Sequence, residues 1–161
     1  MRTPLPSWLK RISRARPQEP TTVVHTALIV DDETPIRTLV DRILREAGWQ
    51  TFVAEDGEDA LMVAASIDKV DLLLTDLMMP RMNGNELARR LRALRPDLPV
   101  LYLTGFSDKL FADQLQLWEN EAFLDKPCSV RGLLEAVSLV IHGPVPGAFG
   151  VQTVDNRVGV L

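Results

Sequence analysis

Apolar residues are distributed along the chain in two alternating patterns. Short uninterrupted apolar runs, typical of buried strands, alternate with longer segments in which apolar residues recur every three or four positions, as in amphipathic helices. Regular alternation of the two is typical of βα units arranged around a parallel sheet. Five such units can be counted, and right-handed connections between them would give a five-stranded sheet with helices on both faces. The pattern therefore predicts an α/β fold.

Local start and stop signals support the predicted strands and helices. The strands are predicted at 27–30, 51–54, 72–74, 100–103 and 122–124. The first helix is predicted to be capped by Thr34, with Pro35 at its first position and Gly48 just past its end. Asp56 and Ser129 are predicted to cap the second and the last helix.

The other helices are predicted from the spacing of their apolar residues. The third is predicted to run to about residue 94 and to present Leu87, Leu91 and Leu94 on one side. A fourth is predicted over about 108–118. The last helix carries five apolar residues at helical spacing: Val130, Leu133, Leu134, Val137 and Ile141.

Polar residues that could bind a ligand or take part in a reaction lie at the carboxyl ends of the predicted strands. Asp31 and Asp32 follow the first strand, Asp76 ends the third, Thr104 ends the fourth and Lys126 ends the fifth. In an open parallel sheet, ligands bind beyond the carboxyl ends of the strands, near the switch in strand order. These five residues are therefore the candidate site.

Three carboxylates held close together repel one another, and a divalent cation is the simplest way to neutralise them. Because the ligands would all be hard oxygens, Mg²⁺ is favoured over zinc. One carboxylate can then act as a nucleophile on phosphorus. Lys126 would supply a second counter-charge, and the Thr104 hydroxyl is suited to sensing a phosphoryl oxygen.

Four motifs lie at these strand ends: LIVDDE at 28–33, LTDLMMP at 74–80, LTG at 103–105 and LDKP at 124–127. Together they resemble the motifs of response-regulator receiver domains from two-component signalling, over about residues 26–142. The sequence of residues 98–108 resembles, more narrowly, the receiver domains of hybrid histidine kinases. We therefore expect the protein to act in a phosphorelay.

The resemblance implies a flavodoxin-like fold with strand order 2-1-3-4-5. It implies that Asp76 accepts a phosphoryl group from a phosphohistidine on a sensor histidine kinase or a histidine phosphotransfer protein. Asp31, Asp32 and Asp76 would surround Mg²⁺ together with the backbone carbonyl of Met78. The peptide bond between Lys126 and proline 127 is expected to be cis, as in the family.

The resemblance also implies a switch. Thr104 would move toward the phosphate and Phe123 would turn inward, which would change the face made by the predicted 108–118 helix, the fifth strand and the last helix. A downstream protein partner, or a second copy in a weak homodimer, would read that face. Phe123 stands where the family often has tyrosine, so the switch would depend on ring burial. Met78 is larger and less polar than residues that help to place a hydrolytic water.

Composition narrows the class of protein. A net charge of −4 and a pI near 5.2 argue against a surface built to grip nucleic acid. One cysteine excludes an intramolecular disulfide, and no apolar run reaches the roughly 18 residues of a membrane span, so a cytoplasmic location is expected. We expect a flexible basic arm at 1–25, the receiver at 26–142, a tail at 143–161 and no DNA-binding domain.

Three functions remain open from the sequence. The first is a stand-alone receiver whose own chemistry is limited to slow autophosphorylation and autodephosphorylation, so that it is not an enzyme in the usual sense. The second is a degenerate receiver that binds proteins without phosphorylation. The third is a phosphatase with an aspartyl intermediate, but such enzymes usually carry a second aspartate two residues after the nucleophile, where this chain has Met78.

Overall fold

A computed structural model describes residues 23–105 and 120–143 as an α/β unit. Its strands are β1 (Thr26–Val30), β2 (Gln50–Ala54), β3 (Leu72–Asp76), β4 (Val100–Thr104) and β5 (Glu121–Asp125). Its helices are α1 (Thr34–Glu46), α2 (Gly57–Ser66), α3 (Gly84–Arg92) and α4 (Val130–His142). The helix predicted over 108–118, nearly all of the predicted arm and nearly all of the predicted tail lie outside the described residues.

The strands form one parallel sheet in the order β2-β1-β3-β4-β5, which confirms the flavodoxin-like prediction. Every residue of β1, β3 and β4 is buried, because these central strands are covered on both faces. The edge strands β2 and β5 each carry exposed positions.

All five strands are longer than predicted, by one or two residues. The apolar runs do not include the polar residues at their ends, yet the backbone ladder does. Asp76 pairs with Leu103, and Thr104 pairs with Asp125. The candidate residues Asp76 and Thr104 are thus held inside regular strands.

Two apolar clusters lie on opposite faces of the sheet, because side chains alternate along each strand. On one face, Leu28 and Val30 of β1 pack with α2 and α3. On the other, Ala27 and Ile29 pack with α1 and α4. This three-layer packing fixes the strand ends that carry the candidate site.

Two of the three predicted helix caps are confirmed. Asp56 accepts a hydrogen bond from the Asp59 N–H, and Ser129 accepts one from the Gly132 N–H. The prediction for Thr34 was wrong, because α1 begins one residue earlier and Glu33 is its N-cap.

The reason for the earlier start of α1 lies in Asp31. Its Oδ1 accepts a hydrogen bond from the Glu33 N–H at 2.8 Å, which orients the chain before the first turn. Gly48, with φ of +89°, follows the end of the helix as predicted.

Two residues of the predicted apolar helix patterns are exposed. The helix α3 ends at Arg92, so Leu94 lies past it and is 81% exposed, whereas Leu87 and Leu91 are buried. In α4, Val130 is the first residue of the helix and is 54% exposed. Among the described residues, the helices are too short or too polar for any of them to span a membrane.

Candidate functional site

The carboxyl ends of β1, β3, β4 and β5 bring the predicted residues to one edge of the sheet. The strands β1 and β3 are neighbours, and the chain order reverses beside them, which is where ligands bind in such sheets. Asp31 directly follows β1 and Asp76 is the last residue of β3. Asp31, Asp32 and Asp76 each offer a carboxylate oxygen, and these oxygens lie within 4.8 Å of one another.

The three carboxylates differ in their surroundings. Asp31 is 1% exposed and Asp76 is 5% exposed, whereas Asp32 is exposed to solvent. The Asp31 backbone carbonyl accepts a hydrogen bond from Arg37 at 2.6 Å, which ties it to the first turn of α1. Asp31 and Asp76 therefore form the buried part of the acidic cluster, and Asp32 forms its solvent-exposed rim.

Lys126 brings a positive charge into this cluster. Its Nζ lies 2.8 Å from Asp31 Oδ2, 3.2 Å from Asp76 Oδ2 and 3.3 Å from Glu33 Oε1. Burial would lower the pKa of Lys126, but the carboxylates of Asp31 and Asp76 outweigh this effect and raise it. Lys126 therefore stays charged and bridges the ends of three elements.

Asp76 is strongly affected by its position. Burial, opposed by Lys126 and reinforced by the Asp31 charge, raises the pKa of Asp76 to about 6. Its Oδ1 also accepts a hydrogen bond from the Met78 N–H at 3.2 Å. The protein thus holds a carboxylate here that a nearby cation would stabilise in its ionised form.

One buried atom bears directly on metal binding. The buried Asp31 Oδ2 has the Lys126 ammonium as its partner at 2.8 Å. One ammonium beside three carboxylates, whose oxygens lie within 4.8 Å of one another, leaves excess negative charge, and this set of hard oxygens fits a divalent cation such as Mg²⁺.

The two predicted switch residues lie on the β4–β5 side of this edge. Thr104 is 1% exposed, and its hydroxyl donates a hydrogen bond to Asp125 Oδ1 at 3.2 Å. The half-buried ring of Phe123 packs against Tyr102, with 5.2 Å between the ring centroids. The peptide bond between Lys126 and Pro127 is cis, as predicted.

Sequence reasoning missed Gly84, the first residue of α3. Its N–H donates to the Leu77 carbonyl at 2.9 Å, and a Cβ at this position would lie 2.2 Å from the backbone oxygen of Asp76. Only glycine lets α3 approach so closely. The Asn-Gly pair at 83–84 signalled a turn, but nothing in the sequence showed what lies opposite it.

Arg81 was also missed. It adopts a φ of +66°, which is unusual for a residue with a side chain, and forms an ion pair with Asp56 at the start of α2. The ion pair links the loop after Asp76 to the neighbouring helix.

The chain is similar in sequence to known proteins. The chain is 33% identical over 118 residues to the sensor kinase CckA of Brucella abortus, covering 73% of this chain and 12% of the kinase. It is 43% identical over 120 residues to the response regulator MprA of Mycolicibacterium vanbaalenii, covering 74% of this chain and 51% of that protein. The chain thus matches only part of the length of these relatives.

The fold comparison agrees. The crystal structure of the receiver domain from the hybrid histidine kinase CckA superposes with a TM-score of 0.60 at 29% identity, covering 72% of this chain and 98% of that one. The family model for the response regulator receiver domain matches residues 27–138. Since that match covers well over half of the sequence, the chain belongs to the response regulator receiver domain family of two-component signalling.

Proposed function

We propose that this receiver accepts a phosphoryl group on Asp76 from a phosphohistidine of a sensor histidine kinase or a histidine phosphotransfer protein. The observation that carries the proposal is the placement of Asp76: a nearly buried carboxylate, 3.2 Å from the Lys126 ammonium and beside two further carboxylates at the switch point of the sheet.

The step is a substitution at phosphorus. An oxygen of the Asp76 carboxylate forms a bond to the phosphorus, and the bond from phosphorus to the histidine nitrogen breaks. The leaving imidazole keeps the electron pair and takes up a proton. The Lys126 ammonium, which forms an ion pair with Asp76, stabilises the negative charge that the phosphoryl group brings. The bond to Asp76 is the only covalent change in the protein.

Receiver domains generally bind Mg²⁺ in an acidic pocket, and the residues of this chain fit that ion. Asp31, Asp32 and Asp76, with the backbone carbonyl of Met78, are the proposed ligands. When bound, Mg²⁺ supplies positive charge against the oxygens of the incoming phosphoryl group. The closeness of the three carboxylates, whose oxygens lie within 4.8 Å of one another, supports this assignment.

Thr104 and Phe123 are the proposed switch residues, and the face formed by β5, α4 and the predicted 108–118 helix is the proposed output. Residues 26–142 are the proposed receiver unit, with an arm at 1–25 and a tail at 143–161. A downstream protein is the proposed reader of the face, and a weak homodimer through it would be a second form. A stand-alone receiver remains a prediction.

A phosphorelay is the proposed setting. Two similarities support it. One is to the sensor kinase CckA of Brucella abortus, and the other is to the solved receiver domain from the hybrid histidine kinase CckA. The protein's own chemistry is proposed to be limited to slow phosphorylation by small phosphodonors and slow hydrolysis.

The deciding experiment is incubation of the full chain with acetyl phosphate and Mg²⁺, followed by intact mass spectrometry. The wild type is expected to gain one phosphoryl group. Asp76→Asn should gain none, while Asp68→Asn, which removes a similar charge from an exposed position, should load like the wild type.

If the wild type gains no phosphoryl group under conditions that load another receiver, the proposal is wrong. A protein that also shows no binding of Mg²⁺ would then be a degenerate receiver that binds proteins without phosphorylation. Continuous release of inorganic phosphate at many turnovers per minute would instead favour the phosphatase alternative.

A further inference from the structure

The Thr104 hydroxyl has one proton to donate, and the Asp125 carboxylate lies within hydrogen-bond distance of it. Its Oγ1 donates to Asp125 Oδ1 at 3.2 Å, and the threonine itself is 1% exposed. A hydroxyl donates one hydrogen bond at a time. While Asp125 accepts it, the hydroxyl cannot also donate to a phosphoryl oxygen on Asp76.

The sheet register explains why these two side chains meet. Thr104 and Asp125 are Cα partners at the last position of the β4–β5 ladder. Two residues earlier on each strand, Tyr102 and Phe123 are also partners, and their rings are in contact. Since side chains alternate along a strand, the Thr104–Asp125 pair continues the row that contains the Phe123 ring.

The same pair adjoins the acidic site through the backbone. The Lys126 N–H donates to the Thr104 carbonyl at 2.7 Å, and the Lys126 ammonium contacts both Asp31 and Asp76. Asp125 therefore lies between the switch aromatic and the lysine of the site, one residue from Lys126 and two from Phe123.

From this geometry we infer that Asp125 is a positioning residue that holds the Thr104 hydroxyl in the unphosphorylated state. The inference rests on the proposed phosphorylation of Asp76. In the unphosphorylated protein the Asp125 carboxylate is the acceptor; after phosphorylation the phosphoryl oxygen takes its place. The competition between the two acceptors sets the balance between the resting and the switched conformation.

Two substitutions at position 125 separate hydrogen bonding from charge. Asp125→Asn removes the negative charge but keeps a side-chain oxygen that can accept the hydroxyl. Asp125→Ala removes both. Because hydrogen bonds to charged groups are among the stronger ones in proteins, losing the acceptor is expected to shift the resting balance by up to about tenfold.

The first measurement uses the unphosphorylated full chain, labelled with ¹⁵N and ¹³C. Three-bond couplings report the χ1 rotamer of Thr104. A single rotamer is expected in the wild type and in Asp125→Asn, and rotamer averaging is expected in Asp125→Ala. A single unchanged rotamer in Asp125→Ala would overturn the inference.

The second measurement is the initial rate of phosphorylation by acetyl phosphate and Mg²⁺. A larger switched population should make Asp125→Ala react several times faster than the wild type, up to about tenfold, with Asp125→Asn within about twofold of the wild type. In a Thr104→Val background, Asp125→Ala should have no further effect, because the hydroxyl is already gone.

The alternatives are distinguishable. Equal acceleration by Asp125→Asn and Asp125→Ala, or acceleration that persists in the Thr104→Val background, would show that the charge of Asp125 acts on the site directly and would overturn the inference. If the wild type is not phosphorylated at all, the proposed function fails, and the Thr104 rotamer still tests whether Asp125 positions the hydroxyl.

Discussion

The three aspartates of the acidic site differ in how much they contribute to the stability of the fold. The carboxylates of Asp31 and Asp76 are nearly buried and each contacts Lys126. Asp32 is exposed at the rim. Removing Asp32 therefore tests metal binding with little effect on the fold, whereas changes at the other two also disturb buried ion pairs.

Asp32→Ala is expected to abolish most of the stabilisation by Mg²⁺. At a Mg²⁺ concentration ten times its Kd, binding should stabilise the wild type by about 1.4 kcal/mol. Without metal, the variant should be no less stable than the wild type, because Asp32 is exposed and its removal relieves repulsion from the Asp31 and Asp76 carboxylates. Urea unfolding with and without Mg²⁺ measures both values. Asp68→Ala, at another exposed aspartate, should keep the full Mg²⁺ effect.

Gly84→Ala is expected to destabilise the protein although alanine is the better helix former. The helix propensity gain is about 1 kcal/mol, but the new Cβ would lie 2.2 Å from the Asp76 carbonyl oxygen. Relieving such overlap should cost about 1–3 kcal/mol beyond that gain and should move Asp76. Urea unfolding and the rate of phosphorylation test this. Asn85→Ala, one residue further on the exposed side, is the control; a Gly84→Ala variant as stable as the control would contradict the expectation.

At the scale of secondary-structure elements, a buried polar network joins α3 to β4 and β5. Arg92, near the end of α3, forms an ion pair with Glu121 at the start of β5, and these side chains are 13% and 4% exposed. The Tyr102 hydroxyl of β4 donates to the same Glu121 oxygen at 3.0 Å. The pKa of Tyr102 is raised mainly by burial and to a smaller extent by the negative charge of Glu121, so its hydroxyl keeps its proton. The network fixes the edge strand that carries the switch aromatic.

Arg92→Met is expected to destabilise the protein by about 3 kcal/mol, because it removes a buried ion pair with the Glu121 carboxylate. Arg90→Met is the matched control: it lies on the same helix, half exposed, and pairs with Glu86, so its effect should stay within about 0.5 kcal/mol. Guanidinium unfolding of both variants gives the comparison. Equal losses for the two would show that the Arg92 pair contributes no more than a surface ion pair.

At the scale of the whole molecule, polar groups close both ends of the sheet. The carboxyl end carries the acidic site. At the amino end, Asp71 accepts a hydrogen bond from the Thr26 N–H at 2.9 Å and pairs with Lys69 at 2.5 Å. Burial alone would raise the pKa of Asp71, but the hydrogen bonds from Lys69 and Thr26, with the charge of Lys69, outweigh it and lower the pKa. Asp71 thus connects the starts of β1 and β3.

This arrangement predicts how global stability depends on pH. Because the folded-state pKa of Asp71 lies below its ordinary value of 3.8, its stabilising effect is complete above that value and is lost as the pH falls through the folded-state pKa. Asp71→Asn should therefore be less stable than the wild type at neutral pH, by an amount that shrinks below about pH 4. Thermal unfolding from pH 7 to pH 3 measures this. A stability difference that stays constant in acid would contradict the assignment, and Asp68→Asn, three residues away, is the control.

The sequence by itself determined the fold class, the five strands, two of the three predicted helix caps and the motifs that bring Asp31, Asp76 and Lys126 together. Each of these features is determined by a short stretch of sequence. Apolar runs follow burial, caps require particular side chains, and the carboxyl ends of parallel strands must meet at one edge.

Only the tertiary structure decided what lies opposite each local feature. Leu94 continued the apolar spacing but falls past the end of α3, and Thr34 looked like a cap but Asp31 starts the helix one residue earlier. Gly84 and the Thr104–Asp125 bond gained meaning only when a second strand or helix was placed beside them. The physical reason is that contact distances and hydrogen-bond partners across elements depend on packing, which a one-dimensional pattern does not encode.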